Sequence, residues 1–120
     1  MAELSDRYRK GAEKFEEVYP GSASEDPNEF ERNSMENLFS EYWYREGLST
    51  RDRRLLILGI VAAQGNQAIQ RLQFRAGIEK GDLTESDLTE IPIFVSQYAG
   101  FPLSVLMNQS AQKVAERLKD

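Results

Sequence analysis

The chain has 120 residues, a net charge of −5, and neither cysteine nor histidine. That length holds a single domain, residues 1–120, and a hydrophobic fraction of 40% is ordinary for a folded protein. Without cysteine there is no disulfide framework, thiolate metal site or thiol-based peroxidase chemistry, and without histidine the commonest metal ligand and neutral-pH base are missing. We therefore expect no metal site.

The charge pattern and the N-terminus bear on partners and location. Acidic and basic residues are interspersed, and the sequence lacks the basic stripe that is typical of nucleic-acid binding. The N-terminal sequence MAELSDRYRK has no apolar stretch of the kind found in secretory signals. The longest apolar run, residues 55–63, is too short to cross a bilayer. We expect a soluble cytoplasmic protein that binds neither nucleic acid nor membrane.

The first half of the chain predicts helices, because its apolar residues recur at helical spacing. A polar helix is predicted over residues 6–18, with Ser5 as its cap and Pro20-Gly21 after its end. A second helix is predicted over residues 28–44. Strand patterns are nearly absent from the whole sequence, which indicates an all-α fold.

The third predicted helix, residues 50–64, is the most apolar part of the chain and follows a capping-box pattern at residues 49–52. Leucine, isoleucine and valine leave it almost no polar face, and a helix that is apolar on all sides is normally buried on all sides. A domain of this size has too few other segments to cover such a helix on all sides. The sequence therefore predicts a homo-oligomer in which a second subunit covers one side.

Three more helices are predicted after Gly65, which completes a compact bundle of about six. The first runs to Lys80, with Gly81 as its left-handed stop. The second opens with a capping box at residues 84–87 and contains Pro92, which should kink it. The third begins after the break at residues 100–102. The inward faces predicted for them are Ile69, Leu72, Gln73 and Ala76; Leu88, Ile91, Val95 and Tyr98; and Leu103, Leu106 or Met107, Ser110, Val114 and Leu118.

Several polar residues lie on or beside faces that should be buried, and each allows two interpretations. Gln73 is either a core amide bonded to a backbone carbonyl or part of a ligand pocket. Tyr98 is either a structural tyrosine with a satisfied hydroxyl or a ligand contact. Residues 43–45, Trp-Tyr-Arg, are an amphipathic surface cluster or part of a site. Glu41 and Glu90 are solvated or arginine-paired carboxylates, or acids of a site.

Five short motifs, in order, carry a resemblance to a known family. Residues 40–49, SEYWYREGLS, resemble G-E-x-W-x-R-P-G-L-S, and residues 51–56, RDRRLL, resemble the segment that follows it. Residues 75–84, RAGIEKGDLT, resemble R-A-A-L-x-N-G-x-x-T. Glu90-Ile91 and the sequence YAGFP at residues 98–102 match E-[IV] and Y-A-G-x-P. On these motifs the chain resembles the carboxymuconolactone decarboxylase family, which is related to the alkylhydroperoxidase D fold.

The resemblance implies an all-helical fold, a homotrimer or homohexamer, and a cofactor-independent active site between helices near the subunit interface. This chain departs from the family pattern at several positions. Gln73 stands where the decarboxylases carry a histidine, and Phe94 stands where another is often found. Proline is lost at Glu46, and Pro92 is unexpected. The C-x-x-C pair of the peroxidase branch is absent.

The resemblance leads to one catalytic hypothesis and two alternatives. An enzyme would decarboxylate, or move a proton within, a small organic acid or lactone, without a cofactor. Arg45 would clamp a carboxylate, Gln73 and Tyr98 would hydrogen-bond the developing enolate, and Glu41, buried so that its protonated form is favoured, would donate the proton. Trp43 and Arg75 would contact the substrate. The alternatives are a non-catalytic oligomeric small-molecule-binding or scaffold protein, and an auxiliary protein of an aromatic biosynthetic pathway.

Overall fold

A computed structural model describes residues 3–119 and divides the chain after Thr50 into two units, which we call the N-terminal and C-terminal units. The described residues form six α-helices and no strand, which confirms the all-α prediction. No helix among them is long and apolar enough to cross a membrane. The helices are α1 (Asp6–Val18), α2 (Glu29–Asn33), α3 (Thr50–Ala63), α4 (Gln67–Lys80), α5 (Glu85–Tyr98) and α6 (Phe101–Arg117).

Helix α1 has the predicted bounds, and Ser5 caps it by accepting a hydrogen bond from the Tyr8 backbone N–H at 3.0 Å. Inside the helix, Gly11 lies against the backbone of Met35. A Cβ added to Gly11 would stand 1.9 Å from the Met35 carbonyl oxygen. Glycine at this position therefore permits a close approach of two backbone segments.

The prediction of one continuous helix over residues 28–44 is wrong. Helix α2 ends at Asn33, a π-helical segment follows over residues 34–39, and a short 3-10 helix covers residues 42–44. Met35, Phe39 and Trp43 are buried, and their spacing of four residues lies between the 3.6-residue turn of an α-helix and the wider turn of a π-helix. The Ser40 hydroxyl also donates to the Glu36 carbonyl oxygen. The sequence pattern looked helical because both kinds of helix satisfy this spacing.

The C-terminal unit has an apolar core to which all four of its helices contribute. Its fully buried members include Leu58 from α3, Phe74 from α4, Leu88 from α5 and Met107 from α6. Glycine again allows close packing, since a Cβ at Gly77 would stand 2.4 Å from Leu83 Cδ1. The core fixes the faces that α3 and α5 turn toward each other.

Several helix boundaries in this unit match the prediction. Gly81 ends α4 in the left-handed conformation, with φ of 86°. The Thr84 N–H donates to Asp87 Oδ2 at 2.8 Å, as a capping box requires, and Pro102 lies in the first turn of α6. Helix α5 runs through Pro92 without a break, and the Ser104 hydroxyl donates to the Pro92 carbonyl.

The predicted inward faces of α4 and α6 are partly wrong. On α4 the buried side is formed by Gln70, Gln73, Phe74, Ala76 and Gly77, whereas Ile69 and Leu72 are only half-buried. On α6, Leu118 is 40% exposed. On α4, polar and small residues occupy part of the inward face, so an assignment based on large apolar residues is rotated away from it. Leu118 lies beyond Arg117, the last residue of α6, and so is not part of the packed helix.

Candidate functional site

A half-open cavity of about 530 Å³ lies between helices α3 and α5. Its walls are apolar and are formed by Leu55 from α3 and by Ile91 and Val95 from α5. Gly59 forms part of the α3 side, and apart from the neighbouring residues and backbone of its own helix no atom lies within 4 Å of the position that a Cβ would take there. The missing side chain at Gly59 therefore keeps the cavity open. We call this space the α3–α5 cavity.

An ion pair between Arg51 and Asp87 lines part of the α3–α5 cavity. Arg51 Nη1 lies 2.7 Å from Asp87 Oδ2, and Arg51 Nη2 lies 3.1 Å from Asp87 Oδ1. Arg51 Nη1 also donates to the Asp82 carbonyl oxygen at 2.9 Å. The hydrogen bond from Arg51 outweighs desolvation and lowers the pKa of Asp87 to about 2, and the same bond raises the pKa of Arg51. The pair is thus ionised at neutral pH and sums to zero charge.

The other polar groups of the cavity come from one stripe of α5. Glu90, Phe94 and Tyr98 are spaced four residues apart, so they follow one another along the same side of the helix. The Phe94 and Tyr98 rings have centroids 5.4 Å apart. All three side chains are exposed, Tyr98 by 84%. This stripe places one carboxylate and one phenol beside an apolar cavity.

The predicted burial of Tyr98 is therefore wrong. Counting from the buried Leu88, Tyr98 lies ten residues on, which places it at the edge of the inward face of α5 and not at its centre. Tyr98 nevertheless lines the α3–α5 cavity, as a substrate contact would. Glu90 and Phe94 are not among the predicted site residues, although the spacing of four residues from Glu90 to Phe94 to Tyr98 is a signal in the sequence that they share one side of a helix.

Gln73 lies in the buried network of the C-terminal unit. Its Oε1 accepts from Arg54 Nη1 at 3.0 Å, and Arg54 also donates to both carboxylate oxygens of Asp82, at 3.1 and 3.2 Å. Arg54 is fully buried and Gln73 is 3% exposed. Gln73 is not among the residues that line the α3–α5 cavity. The contacts favour the interpretation of Gln73 as a core amide, with a buried guanidinium and not a backbone carbonyl as the partner shown.

The remaining predicted site residues are spread over both units. In the C-terminal unit, Arg75 is exposed, with Nε 4.0 Å from Glu79 Oε1. In the N-terminal unit, Trp43 is buried and stacks on Phe39, whereas Arg45 is exposed. Glu41 was expected to be buried, and this expectation is wrong. Its side chain is 62% exposed and lies 3.6 Å from Arg7 Nη2, because the 3-10 turn directs Trp43 inward and leaves Glu41 outside.

Over residues 3–119, no three of the acidic side chains are grouped so that they could hold a metal ion. The α3–α5 cavity offers a ligand a neutral ion pair, one exposed carboxylate and one phenol. Such a set can orient a small molecule by hydrogen bonds and can exchange one proton with it.

Comparison with known proteins confirms the resemblance drawn from the motifs. The model of the carboxymuconolactone decarboxylase family matches residues 28–111, a span that contains every residue lining the α3–α5 cavity. Among curated proteins, the 4-carboxymuconolactone decarboxylase of Acinetobacter baylyi is 30% identical over 121 residues. That alignment covers 93% of this chain and 89% of the relative.

Proposed function

Because the chain belongs to the carboxymuconolactone decarboxylase family, we propose that it is a cofactor-independent enzyme that decarboxylates, or moves a proton within, a small organic acid or lactone. The observation that carries the proposal is the α3–α5 cavity, where Glu90 and Tyr98 adjoin apolar walls. The cavity volume of about 530 Å³ is in the range of small-molecule sites.

The chemistry needs few groups. Breaking a C–H bond or a C–CO₂ bond beside a conjugated carbonyl moves an electron pair onto the carbonyl oxygen, which gives an enolate. In this proposal the Tyr98 hydroxyl donates a hydrogen bond to that oxygen, and Glu90 carries the proton that leaves or joins carbon. The substrate itself takes up the electron pair, so the reaction requires no cofactor.

In the N-terminal unit, Arg45 is exposed and is proposed as a carboxylate clamp. Glu41 is also exposed, which removes the burial on which its role as proton donor depended, so this proposal gives the proton transfer to Glu90. Trp43 is buried and would support the turn that carries them. In the C-terminal unit, Gln73 would act through Arg54 as a positioning residue, and Arg75 is a second exposed cation for an acidic substrate.

The test uses the full-length chain and a panel of unsaturated lactones with and without a carboxyl group. Proton exchange at carbon is followed by NMR in D₂O, and CO₂ release is measured in parallel. We expect turnover of at least one compound, and we expect Glu90→Gln to slow it by about 100-fold or more, because general acid–base catalysis contributes that much. Glu116→Gln, an exposed change on α6, serves as the control. Unaltered turnover in Glu90→Gln would refute the proposed role of Glu90. If no compound of the panel is turned over, the proposed enzymatic activity is refuted.

One observation favours a second candidate, a non-catalytic oligomeric protein that binds a small molecule. No histidine is present in the chain, and Gln73 and Phe94 stand where the resemblance places histidines. Glutamine and phenylalanine cannot carry a proton near neutral pH. If this candidate is right, lactones bind with Phe94 and Tyr98 in contact but neither exchange protons nor release CO₂.

A further inference from the structure

Arg51 is the only cation among the described residues that line the α3–α5 cavity. A guanidinium presents its N–H groups in a rigid plane, as two forks that can each bind a carboxylate through two parallel hydrogen bonds. One fork is formed by Nη1 and Nη2 at the end of the side chain, and we call it the end fork. The other is formed by Nε and Nη2 along one edge, and we call it the side fork. A ligand can use whichever fork the protein leaves open.

The protein itself occupies the end fork of Arg51. Nη1 and Nη2 donate to the two carboxylate oxygens of Asp87, at 2.7 and 3.1 Å. Nη1 gives its second hydrogen to the Asp82 carbonyl oxygen at 2.9 Å. Among residues 3–119, no acceptor receives a hydrogen bond from the side fork. The guanidinium is thus held at one end while its second bidentate edge stays open.

The surroundings of the ion pair agree with this division. The Asp87 side chain is 13% exposed and accepts from the Thr84 N–H at 2.8 Å, so it belongs to the packed start of α5. The Arg51 side chain is 44% exposed and lines the cavity, so a small ligand can reach it. The carboxylate of Asp82 binds the fully buried Arg54, which fixes the carbonyl that Arg51 contacts. The side fork is therefore accessible and held in a fixed orientation.

From these contacts we propose that the side fork of Arg51 anchors the carboxylate of an acidic ligand in the α3–α5 cavity, while Asp87 and the Asp82 carbonyl hold the guanidinium in position. The inference rests on the proposed function and deepens it, because it assigns a substrate-binding residue to the cavity in addition to the clamp proposed for Arg45. The apolar walls of the cavity then receive the carbon skeleton of the ligand.

Charge alone does not favour a carboxylate in this cavity. Arg51 and Asp87 sum to zero, and Glu90, an exposed carboxylate of the lining, repels an anion. Water and salt screen the repulsion from an exposed group, whereas two parallel hydrogen bonds from a guanidinium are strong and directional. We therefore expect the geometry of the fork to decide, so that lysine, a point charge without a fork, cannot replace Arg51.

The test titrates the full-length chain by NMR with two matched probes, benzoate and the neutral benzamide. Arg51→Gln should weaken benzoate binding by about tenfold or more, through loss of the charge-assisted fork, and leave benzamide within about twofold. Arg51→Lys should weaken benzoate binding by about threefold or more although the charge is kept. Arg117→Gln, which removes an exposed cation at the end of α6, is the matched control.

Asp87→Asn separates ligand binding from a structural role of Arg51. The amide keeps an oxygen that can accept from the Thr84 N–H but loses the charge, so Arg51 gains positive charge that is not compensated. We expect benzoate to bind about threefold or more tightly and benzamide to stay within about twofold. If Arg51 served only to hold Asp87, breaking the pair from this side would bring no gain. Glu116→Gln is the control for removing a carboxylate elsewhere.

Gly59→Leu locates the binding. The new side chain should fill the cavity and weaken both probes by about tenfold or more, with the circular dichroism spectrum unchanged. The inference is overturned if benzoate fails to bind the wild type, if its affinity is unchanged in Arg51→Gln, in Arg51→Lys or in a folded Gly59→Leu, or if Asp87→Asn brings no gain. Should the leucine variant fail to fold, the changes at Arg51 and Asp87 decide.

These outcomes are independent of turnover. Benzoate binding that depends on Arg51, without reaction in the lactone panel, removes the proposed enzyme and keeps the anchor. Turnover in the panel, with benzoate binding that is lost in Arg45→Gln and unchanged in Arg51→Gln, keeps the enzyme and removes the anchor.

Discussion

At the scale of single residues, the buried Arg54 gives the core residue Gln73 a specific task, which is to accept a hydrogen bond from a buried charge. A guanidinium removed from water needs several acceptors, because leaving a buried charge without partners costs several kcal/mol. Asp82 supplies the charge and two oxygens, and the Gln73 amide supplies a third acceptor at 3.0 Å. The histidine that the resemblance expects at this position could accept a hydrogen bond only through an unprotonated ring nitrogen. Glutamine provides a fixed acceptor at any pH.

Replacing Gln73 with leucine should lower the free energy of unfolding by about 1–3 kcal/mol, since a buried donor of Arg54 loses its acceptor. Urea denaturation followed by circular dichroism measures this. Gln112→Leu, an exposed change on α6, should stay within about 0.5 kcal/mol of the wild type. The interpretation of Gln73 as a pocket residue would be restored by unchanged stability together with lost ligand binding.

The ion pair between Arg51 and Asp87 makes stability depend on pH in the acid range. The pKa of Asp87 falls from 3.8 to about 2 on folding, so the stabilisation is complete above about pH 4 and is lost as the pH falls toward 2. Arg51 is 44% exposed, and solvent screening reduces the contribution to about 1 kcal/mol. Wild type should therefore exceed Asp87→Asn by about this amount at pH 7 in urea unfolding. A difference of the same size at pH 2 would contradict the assignment.

At the scale of elements, the sequence predicted most of the C-terminal unit and less of the N-terminal one. Helices α3 to α6 have clear caps and stops, such as the Asp87 capping box and the left-handed Gly81, and these are local signals. The π-helical segment has no such signal, because its buried residues keep a spacing that an α-helix also tolerates.

The candidate site was predicted only in part, and the reason is again physical. The prediction that Tyr98 belongs to the site agrees with its place in the cavity lining. Whether its side chain is buried or exposed, however, is decided by a rotation of a few tens of degrees about the axis of α5. The role of Gln73 depends on Arg54, which is nineteen positions earlier on another helix. Contacts between helices of this kind are set by packing, and periodicity within one helix does not reveal them.

Two helix glycines should respond in opposite directions to alanine. Gly59 has open space around its missing Cβ, so Gly59→Ala should stabilise the protein by about 0.5–1 kcal/mol through helix propensity. A Cβ at Gly77 would stand 2.4 Å from Leu83 Cδ1 and 3.1 Å from Leu83 Cβ, and Leu83 is buried. Gly77→Ala should destabilise by about 1–3 kcal/mol. Thermal unfolding of both variants checks this, and equal melting temperatures would show that Leu83 moves aside freely.

At the scale of the whole molecule, the exposed apolar side chains of α3 are relevant to the predicted homo-oligomer. Leu56 and Ile60, four residues apart on α3, are each 58% exposed, and Phe101 at the start of α6 is 73% exposed. Exposed apolar residues in such numbers are typical of surfaces that are covered by another subunit. These exposures support the predicted homotrimer or homohexamer as a proposal. The organisation of residues 1–120 as a single domain stays a prediction.

Light scattering of the purified chain should give three or six times the subunit mass at micromolar concentration. The double change Leu56→Asp and Ile60→Asp should shift the mass toward the monomer, because two buried carboxylates in an interface are costly. Gln112→Glu, a charge added at an exposed position of α6, should leave the mass unchanged. A wild-type monomer would refute the assembly.

The stacking of Trp43 on Phe39 has a practical consequence for studying this protein. Trp43 is the single tryptophan of the chain, and it is buried in the N-terminal unit. Indole fluorescence therefore reports on that unit, whereas most of the far-ultraviolet helical signal comes from α4, α5 and α6 in the other. The position of a single indole thus allows the unfolding of the two units to be followed separately in the unaltered protein.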